Sequence, residues 1–457
     1  MKLYSTLSRT LEDFQPIEEG KVKLFVCGPT VYDNTHIGHV KTYVQFDLLA
    51  RYLRHIGYEV FYLQNITNID DKIIQRSAES GSLWIDLGNK FYDEYTKDMA
   101  VLNVTSVTKY ALATDFIPDI IRQVQTLIDK EYAYTTTDGI YFETNKFQNY
   151  GKLSKRVNIE ETDAQSRIDQ SSKKKNWNDF CLWKYSKKNE PFWPAPFGSG
   201  RPGWHIEDTA ISEHFFGPQY DIHGGAIDLI FPHHEDEIAQ MEAASGKVPF
   251  VKYWLHTGFL NIDAKKMSKS LNNFYTLRDV IAKGYDPMAI RLLILQSHYR
   301  SPINFSWEAL DSAANRLKHI RSAAELRHQP ISYQTKSKMN ILSESLSNIE
   351  SALNNDLNTP EALANIESTI DIFLNNGVGE TEIDNYETWL RKIDTIFGLN
   401  LLSSTPDIPD SIKAQIITRN KARALNDWEK SDKIRKLLET KGFALRDETD
   451  STIWYRL

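Results

Sequence analysis

Cysteine is nearly absent: the 457 residues include only Cys27 and Cys181, too few for a disulfide framework, and a reduced compartment fits that usage. No run of about 18 apolar residues occurs, roughly the least that a membrane-crossing helix needs, so no membrane partner is expected. Met1 to Thr10 carries no apolar core flanked by basic residues, no export leader is expected, and the chain reads as cytoplasmic. An excess of positive charge is lacking too. Lys and Arg number 54 against 61 Asp and Glu, a formal net charge of −7. That balance argues against indiscriminate coating of nucleic acid while leaving room for a local basic face. Internal repeats are missing. What is present is ordinary globular usage, 41% hydrophobic and 25% charged. The chain is longer than one hydrophobic core usually serves, so about two to four folded units are expected.

Lys23 to Cys27 reads as a short buried strand broken by Gly28-Pro29-Thr30. From Val40 onward Val44, Leu48 and Tyr52, with Leu49, Leu53 and Ile56, recur at helical spacing, and Gly57 stands where a C-terminal cap would fall. Glu59 to Leu63 reads as the next strand. Strand, helix, strand is the unit of a doubly wound α/β fold, a Rossmann-type parallel sheet whose ligands bind beyond the carboxyl ends of the strands. The pattern weakens between about Asp115 and Pro194. There a helical stretch, short strand-like pieces such as Gly139 to Glu143, and the polar run Lys173 to Asn176, read as a solvated loop, suggest an insertion. From Gly203 to Phe259 strand-like and helical segments alternate again. Beyond Leu310 the chain turns helical, with Asn315 to Glu325, Met339 to Leu353, and a helix opened by Thr359 as N-cap and Pro360 at N1. Ser403 to Pro409 reads as a linker. The tail from Ser411 to Leu457 holds 11 Lys and Arg against 7 Asp and Glu, a basic stretch in an acidic chain.

Two elements carry chemistry. His36-Ile37-Gly38-His39 follows a strand and a loop at the start of an amphipathic helix. Free N–H groups and the helix dipole attract anions there, Gly38 lets a ligand approach the backbone, and two imidazoles add donors. Lys266-Met267-Ser268-Lys269-Ser270 follows the strand-like Trp254 to Leu260 and a turn at Asp263 to Lys265. Its lysines and hydroxyls can close over a triphosphate and hold charge building on departing pyrophosphate. Either alone is a weak signal. Both, in this order at the edge of a doubly wound sheet, resemble the signature of class I aminoacyl-tRNA synthetases.

Within that class the chain is similar to the cysteinyl-tRNA synthetase family. The resemblance runs through Phe25 to Asp33, His36 to His39, Asn65 to Lys72, Gly203-Trp-His-Ile-Glu207, Asp221 to Gly225, Phe231 to Glu235, the Lys266 to Ser270 loop, Asn358 to Ala362, and the tail from Asp432 through Trp454. It implies a zinc ion (Zn²⁺) held by Cys27, Asp208, His233 and Glu237. The family usually has cysteine where this chain has Asp208, which leaves the total ligand charge unchanged but hardens the ligand set. It also implies that Thr30 contacts the substrate amino group and that Trp204 and His223 wall the amino-acid pocket. His36, His39, Lys266 and Lys269 would be catalytic, with Gly38, Ser268 and Lys269 on ATP and Mg²⁺ assisting. Cys181 has no partner motif and is expected in the core.

The implied division is a Rossmann-type catalytic domain at 1–115 and 196–262, a connective insertion at 116–195, and a lysine–serine loop and stem-contact region at 263–310. A helical bundle at 311–402 and an anticodon-binding region at 403–457 would follow. The implied activity is ATP-dependent ligation of L-cysteine to tRNA(Cys) by a monomer. Three rivals stand beside it: a cysteine ligase acting on an amino-sugar, a small nucleotidylyltransferase, and an idle tRNA-binding protein. The roughly 150 residues after the lysine–serine loop weigh against the first two, and intact phosphate elements against the third.

Overall fold

The computed structural model describes residues 1–156, 173–263, 265–266, 273–331, 339–447 and 452–457. They form two compact units. The first is Met1–Pro287 with Ser297–Ser306 and Asn354–Leu357; the second is Met288–Gln296, Trp307–Leu353 and Asn358–Leu457.

In the first unit, strands β1 (Lys21–Val26), β2 (Glu59–Ile66), β3 (Lys109–Leu112), β4 (Tyr220–Ala226) and β5 (Val251–Thr257) make one sheet in the order β5-β4-β1-β2-β3, every pairing parallel. Runs such as Leu24-Phe25-Val26 and Tyr62-Leu63 are fully buried, as strands covered on both faces must be. Val26 pairs with Gln64 on one side and Gly224 on the other, so the carboxyl ends of β1, β2 and β4 come level. Successive connections carry the chain outward from β1 to β3, and the next places β4 on the opposite side of β1. The crevice opens where the order reverses.

Helix α1 (Ile37–His55) starts directly at the phosphate motif: His36 is its N-cap, its side chain accepting from the His39 N–H. Val40, Val44, Leu48, Leu49, Tyr52 and Leu53 are all buried, so tertiary packing holds the helix. Ile56 is the C-cap, and Gly57 follows with φ of 99°. Between β3 and β4 lie a helix, Ile117–Asp129, and a four-stranded antiparallel sheet of Ala133–Thr135, Gly139–Phe142, Phe180–Tyr185 and Gly200–Pro202. Lys174 and Lys175 of the polar run are held by the protein itself. Lys174 donates to the carbonyls of Trp177 and Asp179, and Lys175 to Glu143. Helices α2 (Ile206–Phe216) and α3 (Glu235–Ser245) flank β4 in sequence. Beyond β5, Leu260–Ile262 pairs with Ile303–Phe305 and with Lys265–Lys266. Met267 to Ser270, including Ser268 and Lys269, lie outside the described residues.

The second unit is helical. Its helices include Trp307–Glu325, which begins eight residues before the Asn315 read from periodicity, and Thr359–Asn376, whose N-cap is Asn358 rather than Thr359. The tail forms helices Asp410–Ala424 and Trp428–Thr440 and a hairpin of Phe443–Asp447 with Thr452–Arg456. Trp454 packs on Ile408, Ile412 and Leu438. Gln329 exchanges two hydrogen bonds with the Trp454 backbone, at 2.8 and 2.9 Å.

Candidate active site

A cavity of about 390 Å³ opens at the carboxyl ends of the strands. Its floor is built where the chain leaves β1. Gly28 donates to the Asn65 side chain at 2.6 Å, and a Cβ on Gly28 would stand 1.6 Å from the Asn65 carbonyl oxygen. Only glycine fits so close an approach. The other end of the Asn65 amide donates to Asp208 Oδ1, fixing that carboxylate's orientation. Thr30 and Thr67 form a parallel bridge, and the Thr67 hydroxyl donates to the buried Glu207. Desolvation, followed by the neighbouring Asp208, raises Glu207 well above the usual carboxylate range.

One wall is the N-terminus of α1. The His36 and His39 rings stack with centroids 3.6 Å apart, and Gly38 lines the cavity beside them. Burial, then His36, pushes His39 well below the usual imidazole value, so that ring stays neutral and offers one N–H. Residues just past the lysine–serine loop dock here. His36 bridges Thr276, Ile37 N–H donates to the Tyr275 carbonyl at 3.1 Å, and the Phe274 ring lies 5.4 Å from that of His36. Lys72 also lines the cavity. Lys266 falls in the short strand that precedes the loop.

Cys27, Asp208 and His233 also line the cavity, and Glu237 groups with them. Their ligand atoms all lie within 4.8 Å of one another, and all four residues are buried. His233 Nε2 is 2.9 Å from Asp208 Oδ2 and 3.0 Å from Glu237 Oε1. A tetrahedral zinc site has ligand–ligand edges of about 3.3–3.6 Å, from bond lengths near 2.0–2.3 Å. Burial pushes the Cys27 thiol up, and Glu237 and Asp208 push it further; burial also raises Glu237 to about 7 against the pull of His233. Against its own desolvation, Glu237 and Asp208 lift His233 to about 10. Glu237 Oε2 is buried and, among the described residues, accepts no hydrogen bond, with His223 Nε2 3.5 Å away. Three acidic donors and an orphaned oxygen in a dry pocket are costly without a cation, and this donor set fits Zn²⁺.

Trp204, 39% exposed, stacks on His233 with ring centroids 4.3 Å apart and lines the cavity. His223 stands elsewhere: it is fully buried, 3.3 Å behind the Cys27 sulfur, and is not among the cavity's lining residues. Cys181 is buried. Sequence reasoning missed Asn65 and Thr67 as orienting groups, and it missed His205, His234 and His256. All five lie within or near matching blocks, but their contacts reach residues up to 250 positions away, which no local pattern reports.

A family model described as the class I (C) tRNA synthetase catalytic domain matches residues 13–315. The cysteine–tRNA ligase of Methanococcus maripaludis (strain C7) is 44% identical, the match covering 98% of this chain and 97% of that one. The ligase of the same description from Caldicellulosiruptor saccharolyticus is 44% identical over 99% of both chains. That of Lachnospira eligens is 41% identical over 100% of both. Among solved structures, Mycobacterium tuberculosis methionyl-tRNA synthetase with methionyl-adenylate aligns with a TM-score of 0.58 at 14% identity, covering 83% of this chain and 90% of that one. An Agrobacterium radiobacter leucyl-tRNA synthetase ternary complex aligns at 0.59 and 11%, covering 85% of each. These two likenesses show the fold.

Proposed function

We propose, from the premise that the chain belongs to the class I aminoacyl-tRNA synthetases and within them to the cysteine–tRNA ligases, that its cavity activates L-cysteine with ATP and delivers it to tRNA(Cys). One observation carries this reading. A single cavity joins the α1 N-terminus, with His36 and His39, to the wall of Cys27, Asp208 and His233. One end suits phosphate, the other a thiol.

When bound, zinc supplies a soft Lewis acid for the substrate sulfur that the hydroxyl of serine does not match. Cys27, Asp208, His233 and Glu237 hold it, Asn65 orients Asp208, and Trp204 covers His233. Thr30 takes the amino group. The cysteine carboxylate oxygen then bonds to the α-phosphorus of Mg-ATP as the bond to pyrophosphate breaks. The α1 N-terminus, the N–H groups of His36 and His39, and Lys266, Ser268 and Lys269 of the loop stabilise phosphate charge. Positioning and electrostatics suffice, and no side chain acts as a nucleophile. The 2′-hydroxyl of the terminal adenosine next attacks the acyl carbon, and AMP leaves.

We assign 1–115 and 196–262 to catalysis, 116–195 to the connective insertion, 263–310 to the loop and stem contact, 311–402 to the bundle, and 403–457 to the anticodon. The basic balance of the tail supports the last assignment. The protein is proposed to act as a cytoplasmic monomer; among the described residues no helix is long and apolar enough to cross a membrane. The experiment is cysteine-dependent ATP–pyrophosphate exchange followed by charging of total tRNA against a panel of amino acids. Cysteine alone should support both reactions. Exchange without charging would favour the amino-sugar ligase, and neither reaction the idle tRNA binder.

A further inference from the structure

Hydrogen positions around Cys27 follow from the partners of each imidazole, and two wirings of opposite sense meet there. His233 places Nδ1 2.7 Å from Nδ1 of His205, whose Nε2 is 3.2 Å from the Asp236 carboxylate. With the Asp236 carboxylate at that distance, a hydrogen on His205 Nε2 makes His205 Nδ1 an acceptor and puts the His233 hydrogen on Nδ1. An ion taking the place of the second proton that Asp208 and Glu237 favour on His233 would then meet Nε2, the nitrogen facing both carboxylates.

The other two rings run the opposite way. The Tyr220 hydroxyl is 2.6 Å from His223 Nδ1, and His223 Nε2 is 3.3 Å from the Cys27 sulfur. A phenol donating to Nδ1 puts the ring hydrogen on Nε2, which faces the sulfur and, 3.5 Å away, Glu237 Oε2. His234 Nε2 is 3.1 Å from the same sulfur. Its Nδ1 is 2.8 Å from His256 Nε2, and His256 Nδ1 is 2.7 Å from the Thr6 hydroxyl. A donating Thr6 orients the whole chain toward Cys27. All of these rings are buried.

We propose that His223 and His234 are positioning residues that donate two N–H bonds to the Cys27 sulfur, leaving His233 as the only imidazole that ligates the ion. The inference rests on the metal reading given above. Two N–H···S bonds draw charge from the thiolate, weaken its donation and leave the ion more electrophilic toward a substrate sulfur. They also offset part of the negative charge of a ligand set with two carboxylates. The opposing arrangement is geometrically available, because Cys27, His223, His234 and Glu237 also bring ligand atoms within 4.8 Å. The hydrogens decide between the two sets.

The test uses the full chain loaded with ¹¹³Cd and labelled with ¹⁵N-histidine. Scalar coupling from cadmium to a single imidazole, His233, is expected, with His223 and His234 protonated on Nε2. Coupling to His223 or His234 overturns the proposal. Independently, cobalt-loaded His234→Ala and His223→Ala should bind metal about 10- to 100-fold more weakly yet still fill to one ion per chain at saturation. Their sulfur-to-cobalt charge-transfer band should move to lower energy. His234→Gln, whose amide can donate in place of Nε2–H, should restore the band. An unmoved band, or a site that cannot be filled, also overturns the proposal. These readouts need neither ATP nor tRNA, so they stand apart from any failure of the aminoacylation reading.

Discussion

The Lys41 ammonium, buried on α1, lies 2.6 Å from the carbonyl oxygen of Gly258 and 3.0 Å from that of Tyr299. It ties the helix that carries His36 and His39 to Gly258, which lines the same cavity. Desolvation lowers its value from 10.5 to about 7. The folded state therefore binds fewer protons than the unfolded state between about pH 7 and 10.5, and stability rises with pH across that window. Below it the full cost of burying the charge is carried. Lys41→Met removes this slope. Urea midpoints of the two proteins from pH 7 to 9.5 should diverge by up to about 1.4 kcal/mol per pH unit, the one-proton limit. Parallel curves would refute it.

Asp208 offers a hard oxygen where a second thiolate would be softer. Asp208→Cys should hold zinc more tightly and resist a chelator longer, whereas Asp208→Ala should lose the ion first. Metal content per chain during chelator titration reads both. Selection against serine should persist in Asp208→Cys, since it depends on the substrate sulfur. Full selectivity in a verified metal-free preparation would falsify this account of the pocket.

Trp204 stacks on His233 and lines the cavity. Trp204→Ala should raise KM for cysteine about tenfold, the scale of an aromatic contact of about 1.5 kcal/mol, while metal content stays at the wild-type level. An unchanged KM would leave Trp204 a surface residue.

Lys269 is proposed to meet charge that is larger in the transition state than in bound ATP. Lys269→Ala should slow cysteine activation by about 10²- to 10³-fold with the KM for ATP within a few-fold. Single-turnover adenylate formation decides it, and a near-normal rate removes Lys269 from the mechanism.

In the tail, Asp447 accepts from Arg419, Arg423 and Arg435, and the Arg419 hydrogen bond is the main cause holding its carboxyl at about 2. Asp447→Ala should release those guanidiniums and cut kcat/KM for tRNA by about tenfold, leaving cysteine-dependent pyrophosphate exchange intact. This substitution is cleaner than truncation after Leu402, because Arg327 donates to the carbonyls of Leu402 and Thr405 and Gln329 holds Trp454. Equal losses in both assays would point to general instability.

Elements whose partners are close in sequence were the most legible. Lys23 to Val26 and Glu59 to Leu63 lie within observed strands because buried parallel strands are continuous apolar runs, and the body of α1 from Val40 followed from its helical spacing. Adjacent capping residues are harder to rank. Asn358 and Thr359 can both cap, and the Asn358 side chain reaches the Glu361 N–H. The helix from Trp307 also escaped periodicity over its first two turns, where the buried face consists of Leu310 and the small Ala313 beside exposed Asp311 and Ser312. The resemblance supplied the four ligand positions, while the wiring of His205, His223, His234 and His256 had no sequence signal, since spacing says nothing about which ring nitrogen faces which partner.

The parallel sheet delivers its ligands from positions far apart in time as well as in sequence. At about 5–20 residues per second, the roughly 210 residues from Cys27 to Glu237 take on the order of 10 to 40 s to synthesise. For most of that interval Cys27 leads a nascent chain without Asp208, His233 or Glu237. The proposed ligand set is therefore complete only once α3 has left the ribosome, and a message broken before that point yields a polypeptide that has Cys27 but lacks Glu237.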